Sequence, residues 1–283
     1  MKIIVTGAKG QLGTEFVELF GDHEVTGVDI EEMDLTKRAD VLEVVGGIDP
    51  DVIVHGAAYT AVDDCESNEQ LAYAVNCMGT RFIQEAARRA SARVVYVSTD
   101  YVFDGTKDSP YHEWDDPNPQ SVYGRSKLGG ERELDDDATI ARTAWVCGRY
   151  GANMVKTILR LSGEHDTLSF VDDQRGHPTI VSDLAKMLFT LTVEELPGLY
   201  HVTNQGAVSW YEFAREVLIA SGQDPERVSP IATADLKPAR PAPRPANSVL
   251  ENRALDIAGV PLAPDFRESL APLVAQIQAD TGA

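Results

Sequence analysis

Tyr123 and Lys127 stand four residues apart in Tyr123-Gly124-Arg125-Ser126-Lys127. On a helix that spacing puts a phenol and an ammonium on one face. A nearby ammonium favours phenolate, so the Tyr123 pKa is expected to fall from about 10 toward neutrality. Such a phenol can give its proton to an alkoxide forming at a carbonyl as a hydride arrives, which is general acid catalysis. Further upstream, Ser98-Thr99-Asp100 offers hydroxyls that could hydrogen-bond that carbonyl, with Thr99 the first choice and Ser98 the second. An ST-turn closing a strand is the other reading of this tripeptide.

A hydride needs a carrier, and the N-terminus suggests one. Gly7-Ala8-Lys9-Gly10-Gln11-Leu12-Gly13 follows a short apolar run and precedes a helical pattern. In such a loop the first glycine permits the tight turn, the second lets the backbone approach a pyrophosphate, and the third lets helix and strand pack closely. The helix N-terminus then offers free N–H groups to the phosphates. Asp29 follows Gly13 by 16 residues, where a carboxylate would hold the adenosine ribose hydroxyls. A dinucleotide cofactor, NADPH or NADH, is therefore expected. The charge of Asp29 favours NADH, whereas Lys9 could pair with the 2′-phosphate of NADPH, so the choice stays open.

These residues must be positioned by elements that alternate along the chain. Apolar runs at 2–5, 24–28, 51–55, 93–98 and 139–146 read as strands, and 14–20, 37–45, 68–90 and 126–134 as helices. Nearly all-apolar strands separated by helices describe an α/β fold: a Rossmann-type, doubly wound parallel sheet covered on both faces. Ligands bind beyond the carboxyl ends of such strands. Residues 1–148 are expected to form the dinucleotide-binding domain, with a strand at 167–171 joining the same sheet. Residues 149–283 read mainly as a smaller, more irregular substrate-binding lobe, with helices at 153–161, 182–192, 209–221 and 265–280 and a strand at 199–203. Four prolines between 237 and 245 force an extended segment, which caps the site or merely links elements.

The GxxGxxG spacing resembles the extended branch of the short-chain dehydrogenase/reductase superfamily. The resemblance implies that Asp34, Leu35 and the run Ala57-Ala58-Tyr59 contact the cofactor, together with Ser98 and, through its ribose, Lys127. It further implies that Asn76 supports the cofactor site, a satisfied buried amide being the plainer alternative. Longer words narrow the family. Ser98-Thr99-Asp100-Tyr101-Val102-Phe103-Asp104-Gly105, Arg142-Thr143-Ala144-Trp145-Val146 and Asp173-Gln174-Arg175-Gly176-His177-Pro178-Thr179 are similar to those of the dTDP-4-dehydrorhamnose reductases. So are Gly198-Leu199-Tyr200-His201-Val202 and Arg244-Pro245-Ala246-Asn247-Ser248. That resemblance implies reduction of the 4-keto group of a dTDP-sugar, with Thr99, Asp100 and Trp145 at the sugar and Arg175 and Arg244 as candidates for its pyrophosphate. Trp145 could instead be a core tryptophan, and either arginine a surface residue paired with a carboxylate.

The relatives within this superfamily fit less well. Dehydratases place a second acid after the Thr-Asp pair, where this chain has Tyr101, and epimerases carry Ser-Ser-Ala there. Another nucleotide-sugar 4-keto reductase or epimerase, or a regulatory subunit like that of methionine adenosyltransferase, remains the alternative. Glu15 matches a position that the family links to metal-bridged dimers, so a homodimer is possible, although a solvated helix-face carboxylate fits as well.

Composition bounds the rest. The chain has 283 residues and is 43% hydrophobic, enough to bury a sizeable core. No apolar run reaches the roughly 18 to 20 residues of a transmembrane helix, and the N-terminal run is too short for a signal peptide, so a cytoplasmic protein is expected. A net charge of −20, from 25 Lys and Arg against 45 Asp and Glu, argues against nucleic acid or an anionic membrane as partner. Only 8 of the 25 basic residues are lysine, and acidic runs at 108–116 and 131–137 read as exposed. An ordinary acidic enzyme and a protein of a salt-rich cytoplasm both fit that balance. The three cysteines form no CxxC pair and the six histidines no HxH or HxxxH pair, so neither disulfide nor metal site is expected.

Overall fold

The computed structural model describes residues 1–20 and 23–281. Six strands, β1 (Lys2–Thr6), β2 (Glu24–Val28), β3 (Val52–His55), β4 (Arg93–Thr99), β5 (Thr139–Thr143) and β6 (Gly198–His201), form one sheet in the order β6-β5-β4-β3-β1-β2. Every pairing in it is parallel. Alternation along each strand divides its side chains between two cores. Ile3, Val5, Val52, Val54 and Val95 point to one face. There they meet Phe16 of helix α1 (Gln11–Phe20) and Leu184, Leu188 and Leu191 of a later helix, Val181–Val193. Ile4, Ile53, Val94 and Tyr96 point to the other face. There they meet Val41 and Val45 of α2 (Arg38–Ile48) and Ile83, Ala86 and Ala87 of α3 (Gly79–Ala90). Phe16 is fully buried, so truncating it to alanine would cost about 3–5 kcal/mol.

The strand order reverses between β1 and β3, and a crevice opens where the two chains part. Helix α4 (Val122–Glu131) closes one side of it. It starts four residues earlier than the pattern of the sequence predicts, because the Ser121 hydroxyl accepts from the Gly124 N–H at 3.1 Å and caps it. The segment expected as one helix over 68–90 is three pieces: Glu69–Tyr73, a π-helical turn over Ala74–Met78, and α3.

The irregular lobe has its own core. Helices Met154–Glu164, Trp210–Ala220 and Phe266–Thr281 pack Val155, Ile158, Phe213, Val217, Leu273 and Val274 against one another. The strand at Leu168–Val171 belongs here and not to the large sheet: it pairs in parallel with Val228–Ile231, and Leu168 and Val228 enter the lobe core. The sheet's sixth strand is instead β6, the strand expected at 199–203, which pairs with β5 and sends Tyr200 into the core shared with α1. The chain does not stay on one side of residue 148: Val181–His201 returns to the large sheet, and Leu255, Val260 and Ala263 join the same core. The proline-rich stretch 237–245 carries neither helix nor strand.

Strand β5 also ends earlier than the apolar run suggests, at Thr143. Trp145 adopts φ 45°, and the next two residues turn away to pair with Thr179–Ile180. The three cysteines are free thiols, with Cys65 and Cys147 buried. Among the described residues no helix is long and apolar enough to cross a membrane.

Two acidic residues read from their runs as exposed are buried instead: Glu113 accepts from the His201 and Ala254 N–H groups, and Glu131 pairs with Arg142. Most of the other Asp and Glu residues are partly or fully exposed, where like charges repel. The melting temperature is therefore expected to rise between about 0.1 M and molar KCl, as measured by thermal unfolding. An unchanged or falling value would contradict a surface limited by its own charge.

Candidate active site

The crevice is a cavity of about 870 Å³ that runs from the glycine loop to the start of α4. Its first wall is the loop after β1. Gly7 sits at φ 72°, and a Cβ on Gly13 would lie 2.2 Å from the Gly7 carbonyl oxygen, so strand and helix can be this close only with glycine there. Gly7, Gly10, Leu12 and Gly13 line the cavity, as does Gln11. The Gln11 side chain is engaged elsewhere, its Oε1 accepting from the Gly148 N–H at 3.1 Å and from Asn153 Nδ2 at 3.0 Å, and so it ties the loop to the second lobe.

At the outer end, Asp29 Oδ2 accepts from the Lys9 N–H at 2.8 Å, and Asp29 Oδ1 from the Ile30 N–H. The Lys9 ammonium contacts Glu31 at 2.7 Å and Glu32 at 3.8 Å. Asp34 also lines the cavity, and the Thr36 hydroxyl and N–H on its carboxylate hold it below the usual range. Leu35, Ala57 and Ala58 complete this half, with Ile30, Met33 and Leu71 beside them, three apolar residues that the glycine and YxxxK patterns do not single out.

Tyr59 and Asn76 do not line the cavity. Asn76 is buried on the π-helical turn. Its Oδ1 accepts from the Tyr59 N–H at 2.7 Å, and its Nδ2 donates to the Tyr59 carbonyl at 3.1 Å and to Ser126 Oγ at 2.9 Å. One amide thus fastens the loop after β3 to α4. Gly130 makes the approach possible, since a Cβ there would lie 2.4 Å from the Asn76 carbonyl oxygen.

Helix α4 carries Tyr123 and Lys127 to the far wall, both buried. Lys127 Nζ donates to the Val97 carbonyl at 2.7 Å and lies 4.0 Å from the centre of the Tyr96 ring. Loss of water around it lowers its pKa to about 7, against the pull of Glu131. Tyr123 behaves opposite to the expectation of an acidified phenol. Burial pushes it well above its usual value, and the nearby Thr99 hydroxyl only partly offsets that. Four-residue spacing puts the two groups on one face, but the ammonium is turned to Val97 and desolvation dominates. A phenol so placed keeps its proton at neutral pH and can give it up only to a stronger base, such as an alkoxide.

Thr99 stands at the end of β4. Its Oγ1 donates to Asp100 Oδ1 at 3.0 Å and accepts from the Tyr101 N–H at 3.2 Å. Asp100 Oδ2 is buried without a partner, and burial raises the carboxyl to about 6. Both residues face the cavity, and so does Ser98, whose hydroxyl donates to Glu131. Trp145 lines the cavity as expected, held flat against Trp210 with ring centres 3.5 Å apart and planes at 8°. Its left-handed backbone is a strained conformation for a tryptophan and costs about 1–3 kcal/mol.

The two arginines are not in the cavity wall. Arg175 is exposed and pairs with Glu212 at 3.1 Å, and Arg244 holds Asp63 through two nitrogens at 2.7 and 2.8 Å. Among the described residues no cluster of three or more His, Cys, Asp or Glu side chains could hold a metal ion.

A parallel doubly wound sheet, a glycine loop at its switch point and a buried Tyr–Lys pair on the opposite wall define a Rossmann-type dehydrogenase/reductase. The profile of the RmlD substrate binding domain family matches residues 1–279. The chain belongs to that family. It is 41% identical over 278 residues to a dTDP-4-dehydrorhamnose reductase of Streptomyces griseus, covering 94% of this chain and 91% of the relative. It is 40% identical over 234 residues to a dTDP-4-keto-6-deoxy-D-glucose reductase of Streptomyces niveus, covering 81% of each. The structure of a dTDP-4-dehydrorhamnose reductase from Bacillus anthracis in complex with NADP superimposes with a TM-score of 0.93 at 37% identity, over 98% of this chain and 100% of that one.

The Asn76 clamp makes a direct test of the site's support. Asn76→Ala should cost about 1–3 kcal/mol in thermal unfolding and weaken cofactor binding, read by titration of nicotinamide fluorescence. Unchanged cofactor affinity in the folded variant would show that the loop after β3 is held by other contacts.

Proposed function

We propose that this chain reduces the 4-keto group of dTDP-4-dehydro-β-L-rhamnose to dTDP-L-rhamnose, with NADH or NADPH as hydride donor. The observation that carries the reading is the Tyr123 phenol buried beside Thr99 at the inner end of a dinucleotide-sized crevice. The family and the Streptomyces and Bacillus relatives support the sugar nucleotide as substrate. The Streptomyces niveus relative supports a second reading, a different dTDP-4-keto-deoxysugar in the same site.

The glycine loop fits a pyrophosphate: Gly13 has no room for a Cβ, and the N-terminus of α1 faces the same space. Gly7, Gly10 and Gly13 would hold the phosphates, Asp29 the adenosine ribose and Lys127 the nicotinamide ribose. The bound cofactor supplies a hydride. Tyr123 delivers its proton to the keto oxygen as negative charge develops there. Thr99, now donating to Asp100, turns its hydroxyl to the same oxygen and orients it. Trp145, backed by Trp210, presents a flat apolar surface to the sugar ring. Arg175, exposed and held by Glu212 alone among carboxylates, is the better candidate for a substrate phosphate; Arg244 would have to abandon two hydrogen bonds to Asp63 and serves better as a strut between the lobes. We place the enzyme in the cytoplasm, where reduced cofactor is available.

The ribose end favours NADH. Asp29, Glu31 and Glu32 concentrate negative charge there, and the Lys9 ammonium is already paired with Glu31. With dTDP-4-dehydro-L-rhamnose, cofactor oxidation is expected to be abolished by Tyr123→Phe. In dilute salt kcat/KM for NADH should exceed that for NADPH by about tenfold, and the gap should narrow in molar KCl as the repulsion is screened. Preference for NADPH in dilute salt would contradict this view of the ribose end. Absence of turnover by folded, cofactor-binding protein would overturn the substrate.

A further inference from the structure

Beneath the catalytic pair lies a charged network that the reaction scheme does not use. Glu131 stands one helical turn after Lys127, at the end of α4, and its side chain is 6% exposed. Arg142 of β5, at 3% exposure, grips both carboxylate oxygens, Nε donating to Oε1 at 2.9 Å and Nη2 to Oε2 at 2.7 Å. The Ser98 hydroxyl of β4 donates to Oε1 as well. The Phe103 ring lies over the guanidinium at 5.2 Å and keeps water away from it. A buried ion pair of this kind is weak evidence for stability, since apolar residues of similar volume often do as well. Its position suggests another reason for its presence.

We propose that Glu131 is the counter-ion that keeps Lys127 an ammonium in a water-free wall, and that Arg142 and Ser98 are positioning residues that lock the carboxylate in place for this purpose. Two cations, Lys127 and Arg142, are buried near one carboxylate, so Glu131 is the negative charge that offsets both. The other titratable groups facing Lys127 supply none. His55 on β3 is neutral, burial having lowered it to about 3, with both ring nitrogens engaged by Thr6 and Thr80. Tyr96 on β4 and Tyr123 on α4 are both pushed upward by burial and stay protonated. Asp100, at the end of β4, is raised to about 6 by burial and is charged above that pH, but its carboxylate is bonded by Thr99 and does not act on Lys127. Without Glu131 the ammonium would face an uncompensated guanidinium, and Lys127 would shed its proton more readily.

The inference rests on the proposed place of Lys127 at the nicotinamide ribose in turnover, and the test separates the two. The Lys127 titration is followed in the cofactor-free protein by NMR of 13Cε-lysine, assigned with Lys127→Met. The variants are Glu131→Gln and the charge-neutral double variant Glu131→Gln/Arg142→Gln, which folds without a lone buried guanidinium. The Lys127 midpoint is expected to fall by about one unit or more in both, because Glu131, one turn away on the same helix, is the charge that acts on Lys127, and Arg142 acts on it through Glu131. An unchanged or higher midpoint in either folded variant would overturn the proposal. In parallel, the alkaline limb of kcat should move to lower pH by a similar amount, whereas a purely structural role would lower kcat at every pH without moving that limb. A shifted titration with an unmoved limb would confirm Glu131 as the counter-ion and overturn the need for the Lys127 charge in turnover.

Discussion

An ammonium held out of water is the constraint on which the rest of this site depends. Removing a charge of this size from solvent costs several kcal/mol even after the protein relaxes. For Lys127 that cost is offset in part by the Val97 carbonyl, the face of Tyr96 and the carboxylate of Glu131, which leave it titrating at about 7. Each partner is fixed by a different element. Val97 and Tyr96 lie on β4, Glu131 lies on α4 itself, and Arg142 holds it from β5. The start of α4 is set by the Ser121 cap, and its closeness to the sheet by Gly130. A helix displaced by a fraction of a turn would leave the ammonium buried and unpartnered.

The same placement brings the proton donor to the hydride's target. The sheet reverses its order between β1 and β3, which opens the crevice, and the glycine loop brings the end of α1 to its floor. Asn76 couples the two walls, one amide bonding the loop after β3 and the serine between Tyr123 and Lys127 on α4. Its seat on a π-helical turn fits the frequent use of such turns at functional sites. The second lobe contributes the strained Trp145, diverted from β5 and propped on Trp210. Gln11 and Arg244 bridge the lobes through Gly148, Asn153 and Asp63. The crevice is thus a joint product of both halves of the chain, although the first half carries the chemistry.

What the sequence revealed follows from the range over which each feature is encoded. The glycine loop, Asp29 and the Tyr123–Lys127 pair are local patterns whose spacing is their function, and the structure puts all of them on one cavity. The alternating strands were legible because burial on both faces demands continuous apolar runs. The strand at 167–171 was placed in the large sheet because it and 199–203 carry equally good β patterns, and only the choice of core separates them. The direction of the Tyr123 shift was missed because spacing shows a neighbour but not the loss of water. Glu131 was read as solvated because it opens an acidic run, and its partner, Arg142, lies 11 residues away on a strand. The partners of Arg175 and Arg244 are equally non-local, 37 and 181 residues away.

The central claim is that this site moves a hydride to a sugar carbonyl and finishes the reaction with a proton from the protein. It is tested most directly with NADH carrying deuterium at both C4 positions of the nicotinamide and dTDP-4-dehydro-L-rhamnose as acceptor. The product is then examined by NMR and mass spectrometry. One deuterium is expected at C4 of the sugar for each cofactor oxidised. Product without deuterium, or substrate bound and released with the cofactor still fully labelled, would contradict it.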